Sequence, residues 1–181
     1  EPTPAATPSL DTLAKRMADL AARAQRLGDE IEITNLQHAY GYYVDRKMWD
    51  DVADLFATDA TMENGLQGVY VGRASIRRSL GAAGLAEGEV NDHVHLQTIV
   101  TVSPDGLTAR ARGTDLGMTG RTGGPALWSQ SIYENEFVKQ GRVWEFQAMH
   151  VYPRFIVAAE QGWAKEAQPG PGPSRDVPPG R

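Results

Sequence analysis

The residues best suited to chemistry in this chain are tyrosines, histidines and one well-placed aspartate. The stretch "YGYYVDRKMWD", residues 40–50, crowds Tyr40, Tyr42 and Tyr43 against Asp45 at the end of an expected helix. Further along, "NDHVHLQTIVTV" alternates with period two, which sets His93, His95 and Gln97 on one strand face and Val94, Leu96, Thr98 and Val100 on the other. In "RVWEFQAMHVYPRFIV" the same rule groups Trp144, Phe146, Ala148, His150, Tyr152 and Arg154, an aromatic stripe with a polar end suited to a pocket wall. A third strand, "ALWSQSIYENEFV", carries Ser129, Ser131, Tyr133 and Asn135 together. Asp, His and Tyr around an apolar cavity are the equipment of general acid–base catalysis. Each has a plainer use as well. Asp45 stands where the next helix begins, so N-capping competes with catalysis there. Tyr40 and Tyr43 are equally suited to a core rim.

Other machineries are missing from the sequence. With no cysteine, thiolate catalysis, disulfides and Cys-type metal sites are excluded. There is no glycine-rich phosphate loop, no G-x-S-x-G and no H-E-x-x-H. His93 and His95 form an H-x-H pair without a matching carboxylate motif, so neither metal nor organic cofactor is expected.

The elements that must position these groups are legible from periodicity. Leu10, Leu13, Met17, Leu20, Ala24 and Leu27 recur at alternating steps of three and four, the narrow stripe of a helix that clamps a neighbour. Gly28 is expected to end it, and Asp29 with Glu32 reads as a capping-box variant opening a second helix. That second helix carries Ile33, Leu36, Tyr40, Tyr43 and Val44 on one face. A short helix follows in "MWDDVADLFATDA", then two short strands, a helix around "ASIRRSLGA", and four long strands separated by "SPDG", "GRTGG" and "KQGR". Helices first and consecutive antiparallel strands afterwards predict an α+β domain with the helices on one face of a curved sheet. The expected organisation is an irregular tail at 1–8, an accessory amphipathic helix at 9–27, a domain at 28–157, and a Pro/Gly-rich extension at 158–181.

A formal charge of −5 argues against nucleic acid as a partner, because phosphate binding needs a basic footprint. No apolar run approaches the roughly 20 residues that span a bilayer. The opening "EPTPAATPSL" fits the start of a mature exported chain after signal-peptide removal and a trimmed boundary equally well, so compartment is left open. The leucine stripe, with an outward strand face of Val143, Met149 and Val151, predicts a homo-oligomer.

"YVDRKMWDDVADLFATDATME", "GVYVGRASIRRSL", "DHVHLQTIVTV" and "RVWEFQAMHVYPRF" together resemble the SnoaL-like branch of the nuclear transport factor two-like superfamily. The resemblance implies a cone-shaped, curved antiparallel sheet wrapped around N-terminal helices with an internal cavity, and a trimer more than a dimer. Its implied site is similar to that of scytalone dehydratase, with Asp45 as the helix-end aspartate, Tyr40 as a pocket aromatic, Asn64 on the first strand and His93 on the histidine-bearing strand. Ser131 and Tyr133 stand at the substrate-binding positions of the penultimate strand. The histidine that partners the aspartate in that enzyme falls near Met118, so the resemblance implies no Asp–His dyad here.

The ending "HVYPRFIVAAEQGWAK" is also similar to cofactor-free lyases of lignin-derived aromatic dimers, which lose a hydroxyl and release formaldehyde. The expectation that follows is a cofactor-independent lyase on a small hydroxylated aromatic. Its catalytic residues would be Tyr40, Asp45, His93 and His150, and its substrate contacts Tyr43, Asn64, Ser131, Tyr133 and Tyr152. A ketosteroid-isomerase-like isomerase or cyclase is the second expectation. A non-catalytic small-molecule binder or dioxygenase small subunit is the third.

Overall fold

The computed structural model describes residues 8–64 and 68–166. The N-terminal tail, residues 65–67 and most of the C-terminal extension lie outside the described residues. The chain runs α1 (Leu10–Asp45), α2 (Trp49–Asp54), β1 (Phe56–Asn64), β2 (Val69–Val71), α3 (Arg73–Ser79), β3 (Glu89–Val102), β4 (Thr108–Arg121), β5 (Ala126–Gln140), β6 (Val143–Ala158) and α4 (Trp163–Glu166). Six strands form one sheet in the order β2-β1-β6-β5-β4-β3. All neighbours are antiparallel except β1 and β6, which run parallel. The α+β class and the curved sheet facing N-terminal helices are as the sequence implies. No helix among the described residues is long and apolar enough to cross a membrane.

The expected break at Gly28 does not occur, and the two helices read from the sequence are one helix of 36 residues. Gly28 is not in the left-handed conformation that ends helices. Asp29 is 2% exposed and is engaged elsewhere than in a cap: its Oδ1 accepts from Lys139 Nζ (2.5 Å), Trp144 Nε1 (3.0 Å) and Gln25 Nε2 (3.3 Å). The carboxylate thereby pins the middle of α1 to the β5–β6 turn region. The N-terminal half of α1 projects past the sheet, with Leu10, Met17, Leu20 and Leu27 exposed and Ile31 extending the same three–four spacing.

The core lies between α1–α3 and the inner face of the sheet. Ile33, Val52, Phe56, Phe137, Trp144, Phe146 and Met149 are buried there, with Phe56 and Phe146 stacked at 5.1 Å and Phe137 against Phe146 at 4.8 Å. Fully burying each phenylalanine contributes on the order of 1.5–3 kcal/mol.

Two of the sheet's register shifts re-aim the strand faces nearest the cavity, and both overturn simple alternation. Register shifts in β3 between Leu96 and Ile99, where Gln97 takes a left-handed φ of 53°. One extra residue of this kind flips everything beyond it to the other face. Thr98 and Val100 therefore turn inward with His93 and His95, while Ile99 is exposed. In β6 the register shifts opposite Glu136–Phe137, so Trp144 and Phe146 face the core, and beyond the shift Met149 and Val151 do so instead. His150 and Tyr152 are thus displaced to the outer face, and Arg154 is exposed. Of the apolar residues expected to face outward on β6, only Val143 does.

Candidate active site

Asp45 is the last residue of α1, not an N-cap. Helix α2 begins at Trp49 with Met48 preceding it and no side-chain cap. What fixes Asp45 is the way α1 stops. Lys47 sits at φ 53°, its N–H bonds Val44 O at 3.0 Å, and Met48 N–H bonds Tyr43 O at 2.9 Å. This is the paired closure that normally has glycine in the left-handed place. Lys47 holds that conformation while its ammonium pairs with Glu89 of β3. Asn91 Nδ2 donates to Val44 O at 2.9 Å, tying the same helix end to the same strand.

These ties bring Asp45 onto His93. Asp45 Oδ1 accepts from the His93 main-chain N–H at 2.9 Å and from His93 Nδ1 at 3.1 Å. An Asp–His dyad therefore exists, formed with His93 itself and not with a residue near position 118. Its cause is spatial: the helix end lies over the first half of β3. Burial pushes the Asp45 carboxyl above the ordinary carboxylate value, against the hydrogen bonds from His93. With Nδ1 donating to the carboxylate, the His93 Nε2 lone pair is left for a reacting group.

His93 opens onto a cavity of about 100 Å³ between α1 and the sheet. Its walls are Gln37, Tyr40, Gly41 and Val44 of α1, Asn64 of β1, His93 and His95 of β3, Asp115 of β4, Tyr133 and Asn135 of β5, and Met149 and Val151 of β6. Burial, and then the Asp115 charge, raise the Tyr40 hydroxyl above the usual phenol range. Tyr133 is raised by burial too, although a hydrogen bond to Thr98 Oγ1 at 2.5 Å opposes the shift. Both phenols therefore keep their protons at neutral pH. Tyr133 fits because its partner across the sheet is Gly113, where a Cβ would stand 2.3 Å from the phenol oxygen. Gly117 plays the same part beside His93 and Ser129.

Of the nine residues the sequence nominated, Tyr40, Asn64, His93 and Tyr133 line the cavity and Asp45 backs it through His93. Tyr43 packs against the core beside Tyr42. Ser131 is buried on the inner face of β5 but not on the cavity wall. His150 and Tyr152 are corrected outright. His150 lies on the other side of the sheet, its Nδ1 bonded to Glu63 Oε2 at 3.1 Å and its ring stacked on Tyr152. The β6 bulge is the reason. Sequence reasoning did not select Gln37, Gly41, His95 or Asp115. His95 shares a strand face with His93, a signal already present in the H-x-H spacing. Asp115 is the cross-strand partner of His95, and its Oδ1 is buried with no hydrogen-bond partner among the described residues.

The chain is an α+β fold with a carboxylate–imidazole pair at the C-terminal end of one long helix, beside a cavity between helix and sheet. Residues 25–150 match the model of the SnoaL-like domain, and the chain belongs to that family. Among solved structures, it is similar to a hexachlorocyclohexane dehydrochlorinase (LinA) Type2, at 16% identity and a TM-score of 0.67, covering 75% of this chain and 92% of that one. The LinA-type3 dehydrochlorinase from Novosphingobium barchaimii gives 15% identity and a TM-score of 0.66 over 75% and 93%. A protein assigned as a scytalone dehydratase from Novosphingobium aromaticivorans gives 18% and 0.62 over 75% and 90%. At these identities the likeness shows the fold alone. No curated protein matches the sequence.

Proposed function

We propose that this protein is a cofactor-independent lyase that removes water from a small hydroxylated aromatic compound. The observation that carries the reading is the dyad: Asp45 Oδ1 holds His93 Nδ1 at 3.1 Å, at the wall of a cavity between helix and sheet. A carboxylate–imidazole pair in that arrangement is a general base whose imidazolium is stabilised as it forms. That dehydrochlorinases and a protein assigned as a dehydratase share the fold supports an elimination, since both names describe removal of a leaving group.

In the proposed step His93 Nε2 takes the proton of a ring hydroxyl. Electrons move through the ring, the benzylic C–O bond breaks, and a quinone methide remains. The departing hydroxide takes the Tyr133 proton, and the proton held on His93 then restores the tyrosine, so that one water is lost. The raised Tyr133 hydroxyl is in the protonated form this requires. The cavity of about 100 Å³ is smaller than the roughly 150 Å³ that holds benzene in an engineered apolar site, so a single ring would enter only with some parting of the walls. A lignin-derived dimer would place one ring inside and the other at the mouth, where loss of formaldehyde from the side chain would follow dehydration.

The test is turnover on a panel of benzylic alcohols bearing a para hydroxyl, single-ring and diaryl, followed by the absorbance of the conjugated product, with formaldehyde assayed separately. A chlorinated cyclohexane is included as the dehydrochlorination arm. Turnover abolished by His93→Ala supports the reading. No turnover on any alcohol, or turnover indifferent to that substitution, overturns it.

A further inference from the structure

A chain of amides runs through the cavity wall, and its direction is fixed at one end. The His150 main-chain N–H can only donate, and it meets Asn135 Oδ1 at 3.3 Å. Asn135 Nδ2 must then be the donor to Gln37 Oε1, at 2.7 Å. Gln37 Nε2 in turn donates to His95 Nδ1, at 3.2 Å. Each amide has its oxygen committed on one side and its nitrogen on the other. Gln37 and Asn135 are 1% and 2% exposed, so water does not compete for these positions. A ring nitrogen that accepts carries no proton, so the proton of His95 is on Nε2.

We infer that His95 is a second functional histidine of the cavity, a neutral Nε2–H donor that binds an oxygen atom bearing or developing negative charge, with Gln37 and Asn135 as its positioning residues. The two histidines thus divide the labour by their partners. A carboxylate on His93 Nδ1 makes that ring a base, and an amide N–H on His95 Nδ1 makes the other a donor that cannot accept a proton without breaking the chain. A neutral imidazole is a very weak acid, so it polarises an oxygen without transferring its proton. Nε2 lies beside Gly41, where a Cβ would stand at 3.3 Å, so the helix leaves the ring room at the cavity wall.

The surroundings agree. Facing His95 are Tyr40 and His38 from α1, His93 from its own strand, Asp115 from β4 and Tyr133 from β5. Burial lowers the affinity of His95 for a second proton, outweighing the opposite pull of Asp115. The assignment rests on the elimination reading only for which oxygen is bound; the tautomer stands without it.

Nitrogen NMR of the full chain labelled in its four histidines reads the tautomer directly, with His95→Gln assigning the signal. The expected result is an Nε2–H, neutral His95 at neutral pH. In Gln37→Glu the donor becomes a carboxylate, and the proton should move to Nδ1 with the apparent pKa rising by about 1–3 units. An Nδ1–H or doubly protonated His95 in the native chain, or no change in Gln37→Glu, overturns the assignment. The donor role is read with para-nitrophenolate as the probe. His95→Phe should weaken its binding roughly ten- to a hundredfold, the worth of a hydrogen bond to a charged acceptor, while His95→Gln retains most of it. Equal binding by the native protein and His95→Phe, or none by either, overturns the ligand class. A confirmed tautomer and probe binding without turnover on the alcohol panel would sink the elimination reading and leave this assignment in place.

Discussion

Asp45→Asn separates catalysis from stability. Both bonds that Asp45 makes to His93 converge on one oxygen, Oδ1, and an asparagine carbonyl can accept the same two hydrogens. The substitution therefore removes charge and keeps geometry. That charge is costly to the fold for two reasons. The carboxylate sits at the C-terminus of α1, where the helix dipole is unfavourable to an anion by about 0.3–1 kcal/mol. Burial also raises its folded pKa above the ordinary value of an aspartate carboxyl. A carboxyl raised on folding binds more protons in the native state across that window, so stability falls as pH rises through it and is lowest when the group is ionised. At neutral pH the neutral amide should leave the melting temperature unchanged or raise it by about 1–4 °C, taking 2–4 °C per kcal/mol for a chain of this size. Turnover should fall by about 10²–10⁴-fold, because the imidazolium formed at His93 loses its counter-charge. The assay pairs calorimetric melting with product absorbance on the best substrate of the panel. A rate within about threefold of native, or a melting temperature lowered by more than about 5 °C, would show that Asp45 serves the fold and not the reaction.

His150→Ala should lower the melting temperature by several degrees, since it opens a buried space beside Tyr152 and leaves Glu63 without its partner, yet should change turnover less than about threefold; a hundredfold loss of rate in a folded variant would return His150 to the site. Gly41→Ala gains about 0.5–1 kcal/mol of helix propensity but places a methyl 3.3 Å from His95 Nε2, so activity should fall at undiminished stability, and undiminished activity would show that His95 does not work there. Asp29 is held below its usual pKa because the hydrogen bonds from Lys139 and Trp144 overcome burial, so its contribution is present above pH 4 and is lost as pH falls through its lower folded value; an acid-unfolding midpoint unmoved by Asp29→Asn would contradict this. Leu20→Glu with Leu27→Glu places charges on the exposed stripe of α1, where association with a second copy is expected; the native chain should scatter light as an oligomer and the variant as a smaller species, and identical masses would refute that use of the stripe.

The sequence revealed its layers well and its bulges poorly. The strands were legible from alternation and turn residues, and so was the inward set Ser131, Tyr133 and Asn135, because β5 keeps regular alternation across that set. β3 and β6 do not. A bulge at Gln97 is marked by no glycine or proline, and the β6 shift falls inside an uninterrupted run, so alternation carried His150 to the wrong side of the sheet. The dyad was missed for another reason. Asp45 and His93 are 48 positions apart, and their meeting depends on Lys47 in a left-handed turn, where the usual sign would be glycine. His95 and Asp115 were hidden by their ordinariness: a polar residue on a strand face shows its use only when its neighbours across the sheet are known.

Helix α1 is one uninterrupted rod from Leu10 to Asp45, about 54 Å long at 1.5 Å per residue. Its outer half carries the exposed stripe, and its inner half carries Gln37, Tyr40, Gly41, Val44 and Asp45, a residue from every functional part of the cavity. With no break at Gly28, the outer half and the cavity half share one axis, and the Asp29 bonds to Lys139 and Trp144 hold that axis between them. A roll of a few degrees would swing the Asp45 carboxylate along His93, slide Gln37 against His95 and alter the clearance at Gly41 at the same moment. The rod thus sets the exposed stripe and the cavity residues on one axis, their far ends more than about 25 Å apart, with the Asp29 pin between them.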